Sequence, residues 1–360
     1  MGEICMKTLS AILTAPRTYD FLEEELPSCR ENDVIVRMLS LGICHSDLPV
    51  YNGTCAVTPN KKYQFREPGL PCYPARVGHE AVAEVVMAGK NVKRFKEGDY
   101  VTGRMRYSQK TYMHIPDADF PAPTIQLFKI PETGKDILCC LGEPMECVIN
   151  MVREVKPQFG DNIAVVGCGF MGLLTIAALS KCGCKTLAGI DLNPEKLALA
   201  NKYGASLCID PGNIENLSEW AYDVTDGRFF DAVVEVSGSI YGLDTAMKIL
   251  KYTHENGNAV TPYLGNGRII SSSVYAGKET IPPSLGFNLM VKGPIIHNVH
   301  PSYALNTIRN EEQGIEAYLS SVFPMEELVT HRTPFSDINR AMNYLEAPPD
   351  GYVKGIVTFP

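Results

Sequence analysis

Two short segments near the start of the chain carry side chains that bind metals. The first runs from Gly42 to Asp47 and contains Cys44, and the second is Gly78-His79-Glu80. Zinc accepts sulfur, nitrogen and oxygen ligands, and a catalytic zinc keeps three protein ligands and one open position. The residue types therefore predict a zinc site. Taken singly, a cysteine is also a common small buried residue.

A glycine-rich turn occupies the middle of the chain. Residues 163–166, after Asn162, are apolar and largely β-branched, the turn Gly-x-Gly-x-x-Gly follows, and residues 173–179 have a helical composition. In such a strand–turn–helix unit the glycines permit a tight turn, close approach of a pyrophosphate and close helix packing. The turn predicts a dinucleotide site that includes Gly167, Gly169, Phe170, Met171 and Gly172.

An acid follows the next predicted strand. Residues 186–190 form that strand, and Asp191 ends it about 20 residues beyond the last glycine. At this place the dinucleotide fingerprint has an acid that binds the ribose hydroxyls and repels a 2′-phosphate. Asp191 therefore predicts NAD(H) rather than NADP(H) as the cofactor.

Together these motifs resemble the zinc-dependent medium-chain dehydrogenases of the alcohol and polyol type. The resemblance covers nearly the whole chain and extends to residues 96–101, 127–131, Glu143-Pro144 and 230–238. It implies an α/β fold in which a GroES-like, mainly β catalytic domain accompanies a Rossmann doubly wound domain. The predicted catalytic domain is 1–154 and 294–360, and the predicted NAD-binding domain is 155–293. Within 230–238, Ser237 is expected near the cofactor.

The resemblance also assigns roles to the candidate site. Zinc is expected on Cys44, His79 and an acid, either Glu80 or Glu143. Ser46 resembles the family's proton-relay hydroxyl. The predicted catalytic residues are therefore Ser46 and the four candidate ligands Cys44, His79, Glu80 and Glu143. Asp47 is expected to orient His79, since metal-bound imidazoles usually donate to a carboxylate; its alternative role is to cap a turn. We interpret Glu146 as a solvated helix acid.

The chain departs from the family in several places. No cysteine lies between Thr102 and Thr111, where many relatives bind a structural zinc, so one catalytic zinc per chain is predicted. The stretch from Tyr51 to Arg76 is expected to cover the mouth of the site. The family's relay often ends in a histidine where this chain has Pro49. The segment 292–300 lacks the arginine of polyol dehydrogenases.

These departures leave the substrate open. In segment 292–300, His297 and His300 could face substrate or cofactor, or equally lie on the surface. The aliphatic pair Ile295-Ile296 and the aromatic residues of the stretch from Tyr51 to Arg76 suggest a less polar substrate. A ring or steroid alcohol is therefore an alternative to a polyol. The expected substrate is therefore a secondary alcohol or ketone. The alternatives are a zinc-free quinone or enoyl reductase, or a non-catalytic family member.

Composition sets broader limits. The chain has 360 residues, a formal charge of −8 and 45% hydrophobic residues. The negative charge argues against non-specific nucleic-acid binding, and no apolar run is long enough to span a bilayer. No export signal is visible, which predicts a cytoplasmic protein with reduced cysteines. By resemblance we expect a homo-oligomer, a dimer or a tetramer.

Overall fold

The fold is described from a computed structural model, which covers most of the chain. It describes residues 6–53, 73–120, 125–251, 267–273, 275, 280–299 and 308–360, and the backbone alone at 56–57, 66–67, 254–255, 258–259 and 307. Two compact units are formed. The first consists of Met1–Met145, Glu311–Leu319 and Met325–Pro360, and the second of Glu146–Asn310 and Ser320–Pro324. The domain boundaries given above remain a prediction.

The strands of the described residues are, in chain order, β1 (Lys7–Ala15), β2 (Thr18–Glu25), β3 (Val34–Gly42), β4 (Ala56–Val57), β5 (Arg66–Glu67), β6 (Glu80–Ala88), β7 (Tyr100–Arg104), β8 (Tyr112–Ile115), β9 (Phe128–Lys129), β10 (Asn162–Val166), β11 (Thr186–Ile190), β12 (Leu207–Ile209), β13 (Ala232–Glu235), β14 (His254–Glu255), β15 (Asn258–Ala259), β16 (Arg268–Ser271), β17 (Ile295–Asn298), β18 (Val329–Pro334) and β19 (Lys354–Thr358). The helices are α1 (Leu48–Tyr51), α2 (Gly142–Val155), α3 (Phe170–Leu179), α4 (Pro194–Lys202), α5 (Leu217–Val224), α6 (Ile240–Ile249), α7 (Pro283–Lys292), α8 (Thr307–Leu319), α9 (Met325–Leu328) and α10 (Ile338–Asn343).

The first unit is built around a mainly antiparallel sheet. Its strand order is β18-β19-β3-β6-β7-β9, and β8 also pairs with β3. The central strand β3 is buried along most of its length, because its valine, leucine and methionine side chains suit a sheet covered on both faces. The strands β1 and β2 form a separate hairpin. This arrangement confirms the predicted GroES-like, mainly β part of the fold.

The second unit contains a parallel sheet. Its strand order is β12-β11-β10-β13-β16-β17, and every pairing between these strands is parallel. Counted along the chain, this is the order 3-2-1-4-5-6 of a Rossmann fold. Three of the four inner strands, β10, β11 and β13, are buried at every residue, as expected of parallel strands that helices cover on both faces. The predicted α/β class is confirmed.

Two further features bear on the earlier expectations. Within the described residues, no helix combines the length and the apolar character needed to cross a membrane. None of the nine cysteines whose placement is described, out of twelve in the chain, forms a disulfide.

Candidate functional site

Strand register brings the candidate metal ligands of the first unit together. Gly42 at the end of β3 pairs with Glu80 at the start of β6, and Glu80 also pairs with Arg104 at the end of β7. Cys44 lies two residues beyond the end of β3, and His79 directly precedes β6. Segments that are distant in sequence therefore meet at one edge of the sheet.

Cys44, His79 and Glu80 form a compact group of metal-ligating atoms. One ligand atom of each lies within 4.8 Å of the others, and no second group of three such residues occurs in the part of the chain that the structure describes. Sulfur, nitrogen and oxygen donors at this separation match the ligand chemistry of zinc. The hydroxyl of Ser46 donates to the sulfur of Cys44 at 3.3 Å. The side chains present therefore fit a zinc ion.

Asp47 lies behind the imidazole of His79. The distance from Asp47 Oδ1 to His79 Nδ1 is 3.5 Å, and the side chain of Asp47 is 4% exposed. Burial alone would lower the pKa of His79, but Asp47, Cys44 and Glu143 together raise this pKa well above its usual value. The anionic surroundings of His79 thus favour a positive charge at this position, which a proton or a metal ion can supply.

Lys354 is a site residue that the sequence analysis missed. Its Nζ lies 2.5 Å from Glu80 Oε2 and donates to the carbonyl oxygen of Ile43 at 2.9 Å. Burial lowers the pKa of Lys354, but the charges of Glu80 and Cys44 raise it above its usual value. The sequence signal was a lysine directly before the apolar run of the last strand, where it is 5% exposed.

A second buried cation accompanies Glu143. The distance from Arg104 Nε to Glu143 Oε1 is 3.7 Å, and the two side chains are 4% and 10% exposed. Arg104 was also missed, although it ends a strand in the segment that replaces the structural-zinc lobe.

The interpretation of Glu146 as a solvated acid was wrong: Glu146 is 0% exposed, because α2 buries nearly every residue of its first two turns.

The predicted dinucleotide turn lies at the carboxyl end of β10 in the second unit. Gly167 has φ +97°, and a Cβ there would lie 2.7 Å from the backbone nitrogen of Ser237. A Cβ on Gly172 would lie 1.8 Å from the carbonyl oxygen of Gly167, whereas a Cβ on Gly169 would have no neighbour within 4 Å. Close packing explains why Gly167 and Gly172 have no side chain. The open space beside Gly169 is where a pyrophosphate would approach.

Three neighbouring strands place the remaining cofactor candidates at the same edge of this sheet. Asp191 follows β11, and its carboxylate accepts from the backbone nitrogens of Cys168 at 2.8 Å and Asn193 at 2.9 Å. Ser237 follows β13 and donates to Glu235 at 2.6 Å. Phe170 and Met171 begin α3. In doubly wound sheets this edge is the ligand-binding edge.

The other site predictions have mixed outcomes. His297 lies 3.3 Å from Glu154, which gives its ring a partner within the second unit. His300 and most of the stretch from Tyr51 to Arg76 lie outside the described residues. Ile295 and Ile296 lie on the edge strand β17.

Comparison with known proteins agrees with both units. Residues 30–117 match the alcohol dehydrogenase GroES-like domain, and residues 171–260 match the zinc-binding dehydrogenase domain. The chain is 26% identical to the uncharacterised zinc-type alcohol dehydrogenase-like protein YdjJ of Escherichia coli K12, over 98% of this chain and 99% of that protein. It is 24% identical to L-threonine 3-dehydrogenase of Bacillus velezensis, over 90% and 91%.

A solved structure has the same fold. It is 2R,3R-butanediol dehydrogenase of Bacillus subtilis, which superposes with a TM-score of 0.73 and 22% identity, over 98% of this chain and 99% of that one. The two matched domains, the Rossmann strand order and the Cys44, His79 and Glu80 group lead to one conclusion: this chain belongs to the zinc-dependent medium-chain dehydrogenase family.

Proposed function

We propose that the chain transfers a hydride between NAD(H) and a secondary alcohol or ketone, with one catalytic zinc per chain. The observation that carries the proposal is the grouping of Cys44, His79 and Glu80 within 4.8 Å. A zinc-free quinone or enoyl reductase would have no use for these three residues together. The family membership supports the same choice.

The charges around the group also support a divalent metal. With Cys44 as a thiolate, the anionic groups are Cys44, Asp47, Glu80 and Glu143. The two cations beside them are Lys354 and Arg104. With His79 neutral, as metal binding requires, these groups leave an excess of two negative charges in a largely buried place, and such charge is costly unless it is compensated. A zinc ion would supply the missing charge.

The geometry favours Glu80 over Glu143 as the third ligand. Glu80 belongs to the compact group, while Glu143 faces Arg104 and acts on His79 through its charge. When bound, zinc acts as a Lewis acid that stabilises an alkoxide or polarises a carbonyl. Asp47 orients the imidazole of His79, and Lys354 fixes one oxygen of Glu80. Ser46 is proposed to accept the alcohol proton.

The cofactor proposal rests on the second unit. Gly169 and the start of α3 would receive the pyrophosphate, Ser237 would line the site, and Asp191 would bind the ribose hydroxyls. An acid at Asp191 repels a 2′-phosphate, which favours NAD(H). The cofactor supplies the redox chemistry, and the protein supplies its orientation.

We propose secondary alcohols as the substrate class, and this class includes polyols and ring alcohols. Ile295 and Ile296 lie on an edge strand, where apolar side chains can contact another chain rather than a substrate. They therefore do not favour a bulky substrate over a smaller one. A screen with NAD⁺ and NADH over polyols, simple secondary alcohols, amino alcohols and steroids would identify the substrate. We further propose a cytoplasmic homo-oligomer.

Replacement of Cys44 tests the proposal directly. Cys44→Ser is expected to remove zinc and turnover together, because serine is a poor substitute for a thiolate ligand. NADH binding, measured by fluorescence titration, is expected to stay near the wild-type value, since the dinucleotide residues belong to the other unit. Metal content is measured on both proteins by mass spectrometry.

Cys29→Ser is the matched control, because Cys29 is a free, partly exposed thiol of the same unit. It is expected to retain zinc and activity. If the Cys44 variant kept its zinc and its rate, the assignment of the site would be wrong. Wild-type protein that binds NADH but no zinc would point instead to the zinc-free reductase or to a non-catalytic role.

A further inference from the structure

A buried carboxylate at the end of β13 joins two segments of the second unit. Glu235 is the last residue of β13 and is 0% exposed. Its Oε1 accepts from the backbone nitrogen of Ser237 at 2.9 Å and from the hydroxyl of the same residue at 2.6 Å. Its Oε2 accepts from the hydroxyl of Tyr275 and from that of Ser271 at 3.4 Å. One side chain therefore binds both the segment after β13 and the end of β16 with the segment beyond it.

A second set of hydrogen bonds joins the same two segments. The backbone nitrogen of Gly238 donates to Ser273 Oγ at 2.9 Å, and this hydroxyl donates to the carbonyl oxygen of Glu235 at 3.4 Å. The hydroxyl oxygens of Ser271 and Tyr275 are 3.1 Å apart. Glu235 thus takes part in both sets, through its side chain and through its backbone.

The surroundings of Glu235 suit an ionised carboxylate, which only accepts hydrogen bonds. The bonds to its side chain come from one N–H and three hydroxyls, and each of these groups can donate. The first turn of α6 also approaches closely, since a Cβ on Gly242 would lie 3.0 Å from Glu235 Oε1, and the N-terminal end of a helix favours negative charge. Burial and the charge of Glu235 raise the pKa of Tyr275, so the phenol keeps the proton that it donates.

Glu235 belongs to the second half of the Rossmann sheet. In such sheets each set of three strands binds one mononucleotide, and the acid that contacts the ribose 2′-hydroxyl belongs to the first half. The first half here is β10, β11 and β12, followed by Asp191, and the second is β13, β16 and β17. Ser237 borders the glycine turn, because a Cβ on Gly167 would lie 2.7 Å from its backbone nitrogen. The nicotinamide nucleotide is therefore expected beside the segments that Glu235 joins.

The residues bound to Glu235 differ in exposure. Tyr275 is 40% exposed and Ser237 is also exposed, whereas Glu235 and Ser271 are 0% and 4% exposed. Tyr275 and Ser237 can thus contact a ligand at this edge of the sheet. The carboxylate beneath them can act on that ligand only through its partners.

We propose that Glu235 is a positioning residue for the nicotinamide half of NAD(H), which holds Ser237 and Tyr275 where they contact that nucleotide. This inference rests on the proposed function, because it requires NAD(H) as the ligand. Loss of the carboxylate weakens the contacts to the nicotinamide nucleotide and leaves those to the adenosine nucleotide unchanged.

Glu235→Gln tests the proposal, because glutamine has the same shape but brings an NH₂ group among donors. By fluorescence titration, NADH is expected to bind about 10–100-fold more weakly, the effect of losing one or two hydrogen bonds to a charged group. ADP, which has the adenosine and both phosphates but no nicotinamide, is expected to bind as to wild type in calorimetry. The emission maximum of bound NADH, which reports the surroundings of the nicotinamide, is expected to shift toward that of free NADH.

Tyr275→Phe is a second variant that removes one oxygen from an exposed side chain and therefore spares folding. It is expected to weaken NADH binding less than Glu235→Gln does, and again without effect on ADP. Because the phenol is held by the carboxylate, the double variant is expected to lose less NADH affinity than the two single losses together.

Asp231→Asn is the matched control. Asp231 directly precedes β13, at the opposite end of the strand, and accepts from Lys251 Nζ at 2.7 Å and from the backbone nitrogen of Asn162 at 2.9 Å. The change is expected to lower the melting temperature and to leave both affinities unchanged.

Three results would overturn the inference. Wild-type NADH affinity in both Glu235→Gln and Tyr275→Phe would show that neither residue positions the cofactor. Equal losses of NADH and ADP affinity in Glu235→Gln would show that the carboxylate only maintains the fold of the unit. Wild-type protein that binds ADP but not NADH would refute the proposed function as well, whereas the first two results would leave that function standing.

Discussion

Ser46 has two possible roles, and they make different predictions. Its hydroxyl donates to the sulfur of Cys44 at 3.3 Å, a contact that would stabilise a thiolate ligand. The relay role requires the same hydroxyl to accept a proton from the substrate. If Ser46 is the relay, Ser46→Ala is expected to slow turnover by about 10²–10⁴-fold, as for general acid–base groups. Zinc content and NADH affinity are expected to stay the same.

The control for Ser46→Ala is Ser40→Ala, which removes a buried hydroxyl that donates to the carbonyl oxygen of Leu138 at 2.8 Å. That control is expected to reduce stability and to spare turnover. Steady-state rates across pH, with metal analysis of each variant, separate the roles. A Ser46→Ala rate within a few-fold of wild type would exclude the relay, and a loss of zinc would favour the thiolate contact.

Asp191 is expected to set the preference between the two nicotinamide cofactors. In the structure its carboxylate accepts from two backbone nitrogens, which holds it at the edge where the ribose is proposed to bind. Asp191→Ala removes the acceptor and the charge that opposes a 2′-phosphate. The expected result is a large fall in kcat/KM with NAD⁺ and a smaller change with NADP⁺.

Asp210→Ala serves as the control for Asp191→Ala, because Asp210 also accepts from a local backbone nitrogen, that of Gly212, at 2.8 Å. Its cofactor preference is expected to match wild type. The idea is rejected if the wild-type enzyme already prefers NADP⁺, or if the ratio of the two kcat/KM values is the same in the Asp191 variant.

At the scale of elements, the parts that sequence predicted well are local. The strand, turn and helix around Gly167 to Gly172 follow one another in the chain, so spacing alone indicates their arrangement. Lys354 and Arg104 were missed because their partners are distant in the sequence: Lys354 reaches Glu80 through strand pairing, and Arg104 meets Glu143 on helix α2. Lys354 lies 274 positions from Glu80 in the printed sequence, and nothing local indicates that β19 will pair with β3.

Helix α2 illustrates a second kind of error. Its sequence contains Glu143, Glu146 and Arg153, and polar residues on a helix usually mark a solvated face. Both glutamates are nevertheless buried, at 8% and 0% exposure. The burial of the first two turns of α2 depends on elements that are distant in the chain, so amphipathic spacing could not reveal it.

The start of β3 is stabilised by a buried carboxylate. Asp33 accepts from the side chain of Arg30 at 2.9 Å, from His114 at 2.8 Å and from the backbone nitrogen of Asp117 at 3.1 Å. Burial by itself raises the pKa of Asp33, but these hydrogen bonds outweigh it and lower the pKa from 3.8 to about 2. The ionised form is therefore favoured in the folded state.

Asp33→Asn is expected to lower the free energy of unfolding at pH 7 by on the order of 1–2 kcal/mol. Because the folded pKa lies below the unfolded one, this stabilisation is present above about pH 4 and disappears as the pH falls toward 2. Denaturant unfolding of both proteins across that range measures the difference. Asp337→Asn, at a half-exposed ion pair, is the control with little expected effect. A difference that persisted at pH 2 would contradict this account.

At the scale of the whole molecule, the second unit leaves an apolar edge exposed. Strand β17 ends the parallel sheet, and Ile295 and Ile296 are 43% and 45% exposed there. On the preceding helix α7, Phe287 and Met290 are 63% and 75% exposed. An unprotected edge strand with apolar side chains readily pairs with another chain, and large exposed apolar patches mark interaction sites. These residues support the proposed homo-oligomer.

Ile296→Lys is expected to reduce the oligomer to smaller species, because a charged side chain on an edge strand opposes pairing with a second strand. Light scattering coupled to size-exclusion chromatography gives the mass of each species over a range of concentrations. Leu22→Lys is the matched control, since Leu22 is 51% exposed on a strand of the other unit, and it is expected to leave the mass unchanged. Zinc content should be equal in all three proteins, which separates assembly from the metal site. An Ile296→Lys protein with the wild-type mass at low concentration would show that subunits associate through a different surface.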